Sequence, residues 1–295
     1  MFSGAFTALV TPFRDGEVDE KALREIVEEQ IANGIDGLVP VATTGESATL
    51  THAEHERVVR IVVEQVNKRV PVIAGTGSNN TREAVRLTAA AKRDGADGAL
   101  LIAPYYNKPT QEGLYRHFAA VATEVDLPQI VYNIPGRTAV TIAPETLVRL
   151  SELPNVVGVK DATGSWDNAS RVMAQIGERL AFFAGDDAMT LPLIAIGGKG
   201  VISAVANLVP GDMAKYTDAA LDGDLDTARQ MHRKLIPLIE VAFLETNPIP
   251  VKTAMGMLGK CTDELRLPLC EITDANRMKL RNALVAYGLL TGGTV

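Results

Sequence analysis

The sequence is poor in the residues that most often announce a function. Its 295 residues include two cysteines, Cys261 and Cys270, and one tryptophan, and aromatic residues make up only 5% of the chain. The cysteines form no C-x-x-C and no Cys/His ligand spacing, which excludes zinc and iron–sulfur readings. In a reducing compartment they are expected to stay unpaired. Lys and Arg number 29 against 36 Asp and Glu, a net charge of −7, and no basic run carries interleaved aromatics. Nucleic acid and anionic membrane are therefore not the expected partners. Apolar stretches fall short of the ~20 residues that cross a bilayer, and the first residues do not resemble a signal peptide, so the expected location is cytoplasmic. No G-x-G-x-x-G follows the first strand-like segment and no phosphate loop is present. Neither a metal nor a cofactor is expected.

What the chain does have is alternation. Short apolar segments flanked by Gly, Pro or Asp occupy residues 5–10, 37–42, 71–75, 98–103, 129–133, 156–160, 181–185 and 200–204. Strands buried on both faces read in this way. Between them run stretches of helical period such as 21–31, with N-terminal signals at Thr51 (Glu54 three residues on) and at Asn80 or Thr81. Eight such pairs predict an α/β fold, a parallel (β/α)8 barrel over residues 1–224, with an open doubly wound sheet as the competitor. Beyond the eighth strand the pattern turns helical only, at 212–221, 224–241, 250–258 and 274–289. One of these helices completes the barrel, and residues 225–295 form a C-terminal helical extension.

In a barrel of this type the C-terminal strand ends face the active site. The strand 156–160 ends in Lys160, and an apolar strand offers a lysine no packing reason to stand there. Desolvated, its amine loses basicity and becomes a nucleophile suited to imine formation. The bland alternative is a strand-end lysine whose ammonium snorkels to water. Other strand ends supply Thr43 and Thr44, whose hydroxyls suit a carboxylate or oxyanion, and Tyr132, whose phenol can pass a proton, directly or through Thr43. Arg137, in a Gly-Arg-Thr turn, suits bidentate capture of a carboxylate. Turn chemistry, a satisfied buried phenol and a solvated arginine are the respective alternatives. Together the set describes carbonyl chemistry through an imine.

The segments Thr43-Thr44-Gly45-Glu46-Ser47-Ala48-Thr49-Leu50, Ala103-Pro104-Tyr105-Tyr106-Asn107-Lys108-Pro109, Tyr132-Asn133-Ile134-Pro135-Gly136-Arg137-Thr138, Gly158-Val159-Lys160-Asp161-Ala162-Thr163-Gly164 and Asn247-Pro248-Ile249-Pro250-Val251-Lys252 add a resemblance over nearly the whole chain. It resembles the dihydrodipicolinate synthase (4-hydroxy-tetrahydrodipicolinate synthase) family of the pyruvate-dependent aldolases. The resemblance implies condensation of pyruvate with L-aspartate 4-semialdehyde in lysine and diaminopimelate synthesis. Lys160 would form the imine, and Tyr132, Thr43 and Tyr106 the proton relay, Tyr106 being lent by a neighbouring subunit. Thr44 would hold the pyruvate carboxylate and Arg137 that of the semialdehyde, while Gly185 and Ile202 would line the pocket. Feedback inhibition by L-lysine would involve Ser47, Ala48, His52, His55, Asn79, Glu83 and Tyr105, and the assembly would be a homotetramer built as a dimer of dimers. Two positions depart from the family pattern: Ala42 stands where many relatives have glycine, and Asp161 replaces a frequent glutamate. Both bear on fine specificity and neither removes a reacting group. Two rival readings are an aldolase acting on sugar-derived aldehydes, such as an N-acetylneuraminate lyase, and a non-catalytic barrel that binds small molecules.

Overall fold

The side chains of alternate strand residues sort into two separate cores, and that sorting defines the architecture. In the computed structural model, which describes residues 2–291, eight parallel strands follow one another around a barrel. They are β1 (Gly4–Ala8), β2 (Gly37–Val39), β3 (Ile73–Gly75), β4 (Gly98–Ile102), β5 (Gln129–Asn133), β6 (Val156–Asp161), β7 (Ala181–Ala184) and β8 (Gly200–Ser203). Met1 and the last four residues of the expected extension lie outside the described residues. Each strand pairs with its sequence neighbour, and β8 returns to β1. Between β2 and the approach to β3 the ring is closed by a single bridge, Leu38 with Val72.

Phe6, Ala8, Val39, Ile73, Leu100, Ile130, Tyr132, Ala181, Phe183 and Ile202 fill the barrel interior. Their sequence neighbours, among them Leu38, Leu101, Val131, Val159, Phe182 and Val201, point outward into the larger core beneath the helices. A two-residue side-chain period on a strand buried on both faces requires this division. It also decides where Lys160 goes. Val159 and Asp161 face the helices, so Lys160 between them faces the interior.

The expected caps are present. Thr51 opens the helix His52–Val66 with a capping box to Glu54, and the Asn80 side chain accepts from the Arg82 N–H at the start of Thr81–Arg93. After Pro210–Leu221, the helix that completes the barrel, come Leu225–Ala242, Ile249–Met257 and Asp274–Tyr287. A hairpin of Phe13–Arg14 against Glu17–Val18 was not foreseen in the sequence pattern. Its Asp15-Gly16 turn has φ of 54° and 83°, the left-handed pair that a tight hairpin favours. Cys261 and Cys270 are unpaired. Among the described residues no helix is long and apolar enough to cross a membrane.

Candidate active site

Lys160 and Tyr132 occupy paired positions on β6 and β5, so both side chains enter the barrel from adjacent strands at one level. The lysine Nζ lies 4.4 Å from the centre of the tyrosine ring. Lys160 is only 4% exposed, which rules out a snorkelling surface residue. Burial pushes its ammonium down to about 8, a shift that Asp187 opposes and Arg137 reinforces. Burial pushes the Tyr132 phenol up to about 12, although Arg137 and a hydrogen bond with Thr43 pull the other way. At neutral pH the pair is therefore a phenol that keeps its proton beside an amine that readily gives its proton up.

Thr43 and Thr44 sit on a turn that requires unusual backbone. Val41 has φ 50° and Glu46 φ 52°, left-handed values that cost a β-branched residue of order 1–3 kcal/mol. The turn packs so closely on β3 that a Cβ at Gly75 would lie 2.4 Å from the Val41 carbonyl oxygen. Glu46 anchors it. Its Oε1 accepts from Lys252 Nζ at 2.6 Å with both side chains fully buried, and its Oε2 accepts from the Arg266 backbone N–H at 3.2 Å. Lys252 Nζ also lies 3.9 Å from the centre of the Phe13 ring in the hairpin.

Asn247 joins the two candidate carboxylate binders. Its Nδ2 donates to Thr44 Oγ1 at 2.9 Å, and its backbone carbonyl accepts from Arg137 Nη2 at 2.8 Å. Arg137 lies on the short helix Pro135–Thr138 just past β5. A cavity of about 460 Å³ is lined by Thr43, Tyr132, Arg137 and Asn247 at one end, a size suited to small-molecule ligands. Gly185 N donates to Asp161 O at 2.7 Å, and a Cβ there would lie 2.9 Å from that same oxygen. Ile202 is buried in the interior layer.

Asp187, which follows the segment 181–185, is given no role by the sequence pattern. The structure buries it completely beyond β7, where it accepts from the Ser203 hydroxyl and, at 3.4 Å, from Ala204 N. Burial raises its carboxyl to about 6, against the effect of these hydrogen bonds and of Lys160. It is the carboxylate that acts most directly on the lysine amine.

The same cavity extends to a second group, Ser47, Ala48, His52, His55, Glu83 and Tyr105. His52 Nε2 lies 2.7 Å from Glu83 Oε1, and the Ser78 hydroxyl donates to the other carboxylate oxygen. These bonds, that of Ser78 foremost, hold the Glu83 carboxyl below the usual carboxylate range. His55, in the first turn of the helix His52–Val66, does not face solvent. It is buried, with Nε2 2.8 Å from the Gly75 carbonyl oxygen, so that Nε2 carries the proton. Asn79 does not line the cavity; its backbone carbonyl accepts from Asn107 Nδ2 at 2.9 Å.

Tyr106 stands apart from the other relay candidates. It is 88% exposed and has φ 73°. Ala42 does line the cavity, whereas Asp161 turns its carboxylate to Thr163 and Asn168, at the helix side of β6. Among the described residues no cluster of three or more His, Cys, Asp or Glu side chains is arranged to hold a metal.

The model of the dihydrodipicolinate synthetase family matches residues 1–287. The chain belongs to that family. A 4-hydroxy-tetrahydrodipicolinate synthase of Geotalea daltonii is 57% identical over 290 residues, 98% of this chain and 100% of its own. Among solved structures, the chloride-inhibited dihydrodipicolinate synthase of Acinetobacter baumannii, complexed with pyruvate, matches with a TM-score of 0.97 at 45% identity, covering 98% of this chain and all of its own. The enzyme of Cyanidioschyzon merolae, with lysine bound, gives 0.95 at 40% identity over 98% of this chain and 99% of its own. Membership of the dihydrodipicolinate synthetase family makes the chain a lyase of the class I aldolase type.

Proposed function

We propose that the chain condenses pyruvate with L-aspartate 4-semialdehyde through an imine on Lys160, in lysine and diaminopimelate biosynthesis. The observation that carries this reading is the buried Lys160 amine, 4.4 Å from the Tyr132 ring and titrating near 8. Neutral Nζ attacks C2 of pyruvate, and the carbinolamine, taking one proton from the relay, loses water to leave an iminium. That cation acidifies the methyl group, whose proton passes to the relay, and the resulting enamine carbon attacks the aldehyde. The amino group of the acceptor then displaces Lys160 from C2 and closes a six-membered ring. Tyr132, a phenol protonated at rest, and Thr43 lend and recover the protons these steps require. Thr44 holds the pyruvate carboxylate and Arg137 the second carboxylate. Arg137 at the cavity wall also favours a carboxylate-bearing acceptor over a polyhydroxylated one.

Tyr106 is assigned to the partner copy's relay in a dimer of dimers, a role that suits a solvent-facing phenol in a constrained turn. Borohydride reduction in the presence of pyruvate tests the imine directly. The peptide containing Lys160 should gain the mass of reductively attached pyruvate. The trapping rate should climb with pH through a midpoint near 8 instead of near the ~10.4 of a free lysine. An unmodified peptide would remove the imine and raise the non-catalytic barrel reading.

L-Lysine is proposed as the feedback inhibitor, bound at the far end of the cavity, with its ammonium on Glu83. The lysine-bound relative and the carboxylate presented there by His52 and Ser78 support this. Glu83→Ala should lose inhibition by lysine, with the rate measured in its absence as the control; inhibition equal to that of the parent protein would refute the site.

A further inference from the structure

Asn247 has one polar atom that the protein leaves unused. Its Nδ2 is committed to Thr44 Oγ1 and its backbone carbonyl to Arg137, but the side-chain Oδ1 is buried with no donor. Buried amide oxygens are nearly always paired, because an unpaired one forfeits the hydrogen bonds it had in water. With Nδ2 turned to Thr44 Oγ1, Oδ1 is the polar atom of this side chain left without a partner. Asn247 also lines the cavity, as do Tyr132 and Arg137. The unmet demand is thus for a donor, at a point set by the residues assigned to the two substrate carboxylates.

We propose that Asn247 Oδ1 receives the amino group of the acceptor aldehyde and makes this the specificity residue for an amine-bearing substrate. The inference rests on the function proposed above. In a 2-amino acid the amino group and the carboxylate share one carbon. Once Arg137 takes that carboxylate, the amine is brought beside the residue whose backbone carbonyl Arg137 already touches. An ammonium supplies the missing donor, and a charged donor on a buried acceptor makes a stronger bond than a neutral pair. The same contact holds the nitrogen near Thr44, where the pyruvate carboxylate marks the carbon that the amine must attack in the ring-closing step.

The test uses the full-length protein and two aldehydes of one carbon skeleton. These are L-aspartate 4-semialdehyde, followed by kcat/KM, and succinic semialdehyde, which lacks the amine, followed by its Ki as a competitor. In Asn247→Leu, kcat/KM for the amino aldehyde should fall on the order of 10- to 100-fold, the worth of one hydrogen bond to a charged group. The Ki of the des-amino analogue should hardly move. Asn247→Asp keeps an acceptor in place and should retain most of the discrimination. Parallel rises in KM and Ki for the leucine variant would show that Asn247 only positions Thr44 and Arg137, and would overturn the proposal. Pyruvate trapping by borohydride reports whether each variant is folded with a working Lys160. If the leucine variant fails that control, the aspartate variant decides alone, a collapsed ratio overturning the proposal and a preserved one supporting it. A parent protein that traps no pyruvate, or leaves the semialdehyde unconsumed, would bring down the proposed function itself before any variant is made.

Discussion

Lys160→Met is expected to lower condensation by on the order of 10⁴-fold or more and at the same time to raise the melting temperature at pH 7. The first effect is loss of the amine to which the imine is assigned. The second follows from where the amine sits. In the folded protein its ammonium titrates near 8, against about 10.4 when free. Folding therefore disfavours the charged form by about 3 kcal/mol below pH 8. The penalty fades as pH climbs from about 8 towards 10.5 and is absent above that. Methionine has similar length and no charge, so the variant escapes the penalty. The gap in melting temperature between variant and parent should be widest at neutral pH and close towards pH 10. A gap that ignores pH would show that the amine is not held desolvated.

Lys252→Met should have the largest effect on stability. It leaves the Glu46 carboxylate fully buried without its cation, a change that costs about 3–5 kcal/mol. The double replacement Lys252→Met with Glu46→Leu removes both charges and should recover that loss or exceed it, because two buried charges desolvate at a cost that their attraction barely offsets. Activity should not recover with it. Glu46 stands in left-handed backbone two residues after Thr44, and its two bonds to the C-terminal extension hold the Thr43–Thr44 turn in place. The double variant should melt like the parent while its KM for pyruvate stays raised. Recovery of both together would make the pair structural only.

The barrel was legible because strands buried on both faces leave a strong mark. The eight apolar segments, each bounded by Gly, Pro or Asp, match the observed strands to within two residues at either end, except that 37–42 runs three residues past Val39. Lys160 and Tyr132 were legible for the same reason, as polar side chains at the ends of apolar runs. Interactions across long sequence distances were not. Glu46 and Lys252 are separated by 206 positions, and no local pattern announces that a glutamate in a Thr-Thr-Gly-Glu run will be buried against a lysine in a helix. Asp187 was hidden by its neighbour Asp186, since two acidic residues after a strand read as turn chemistry. Asn247 stood in a segment that contributed to the resemblance without suggesting a role for the residue itself. The Asp15-Gly16 hairpin did have a local signal, but its flanking strands of two residues each are too short to show alternation.

The single bridge between Leu38 and Val72 has a consequence for how the molecule yields. Around the rest of the ring, neighbouring strands share two to five paired positions. At this one place the ladder thins to one bridge, supplemented by bonds from Leu38 N to Pro71 O and from Gly75 N to Pro40 O. The Thr43–Thr44 turn leaves from one lip of this gap, and His55 holds the other through the Gly75 carbonyl. Val41 and Gly75, packed against each other across this line, both line the cavity. The ring is therefore better described as a split collar than as a closed hoop. A few backbone bonds and the His55 side chain form its clasp, and a small molecule seated along the split would work on the collar like a wedge or a rivet.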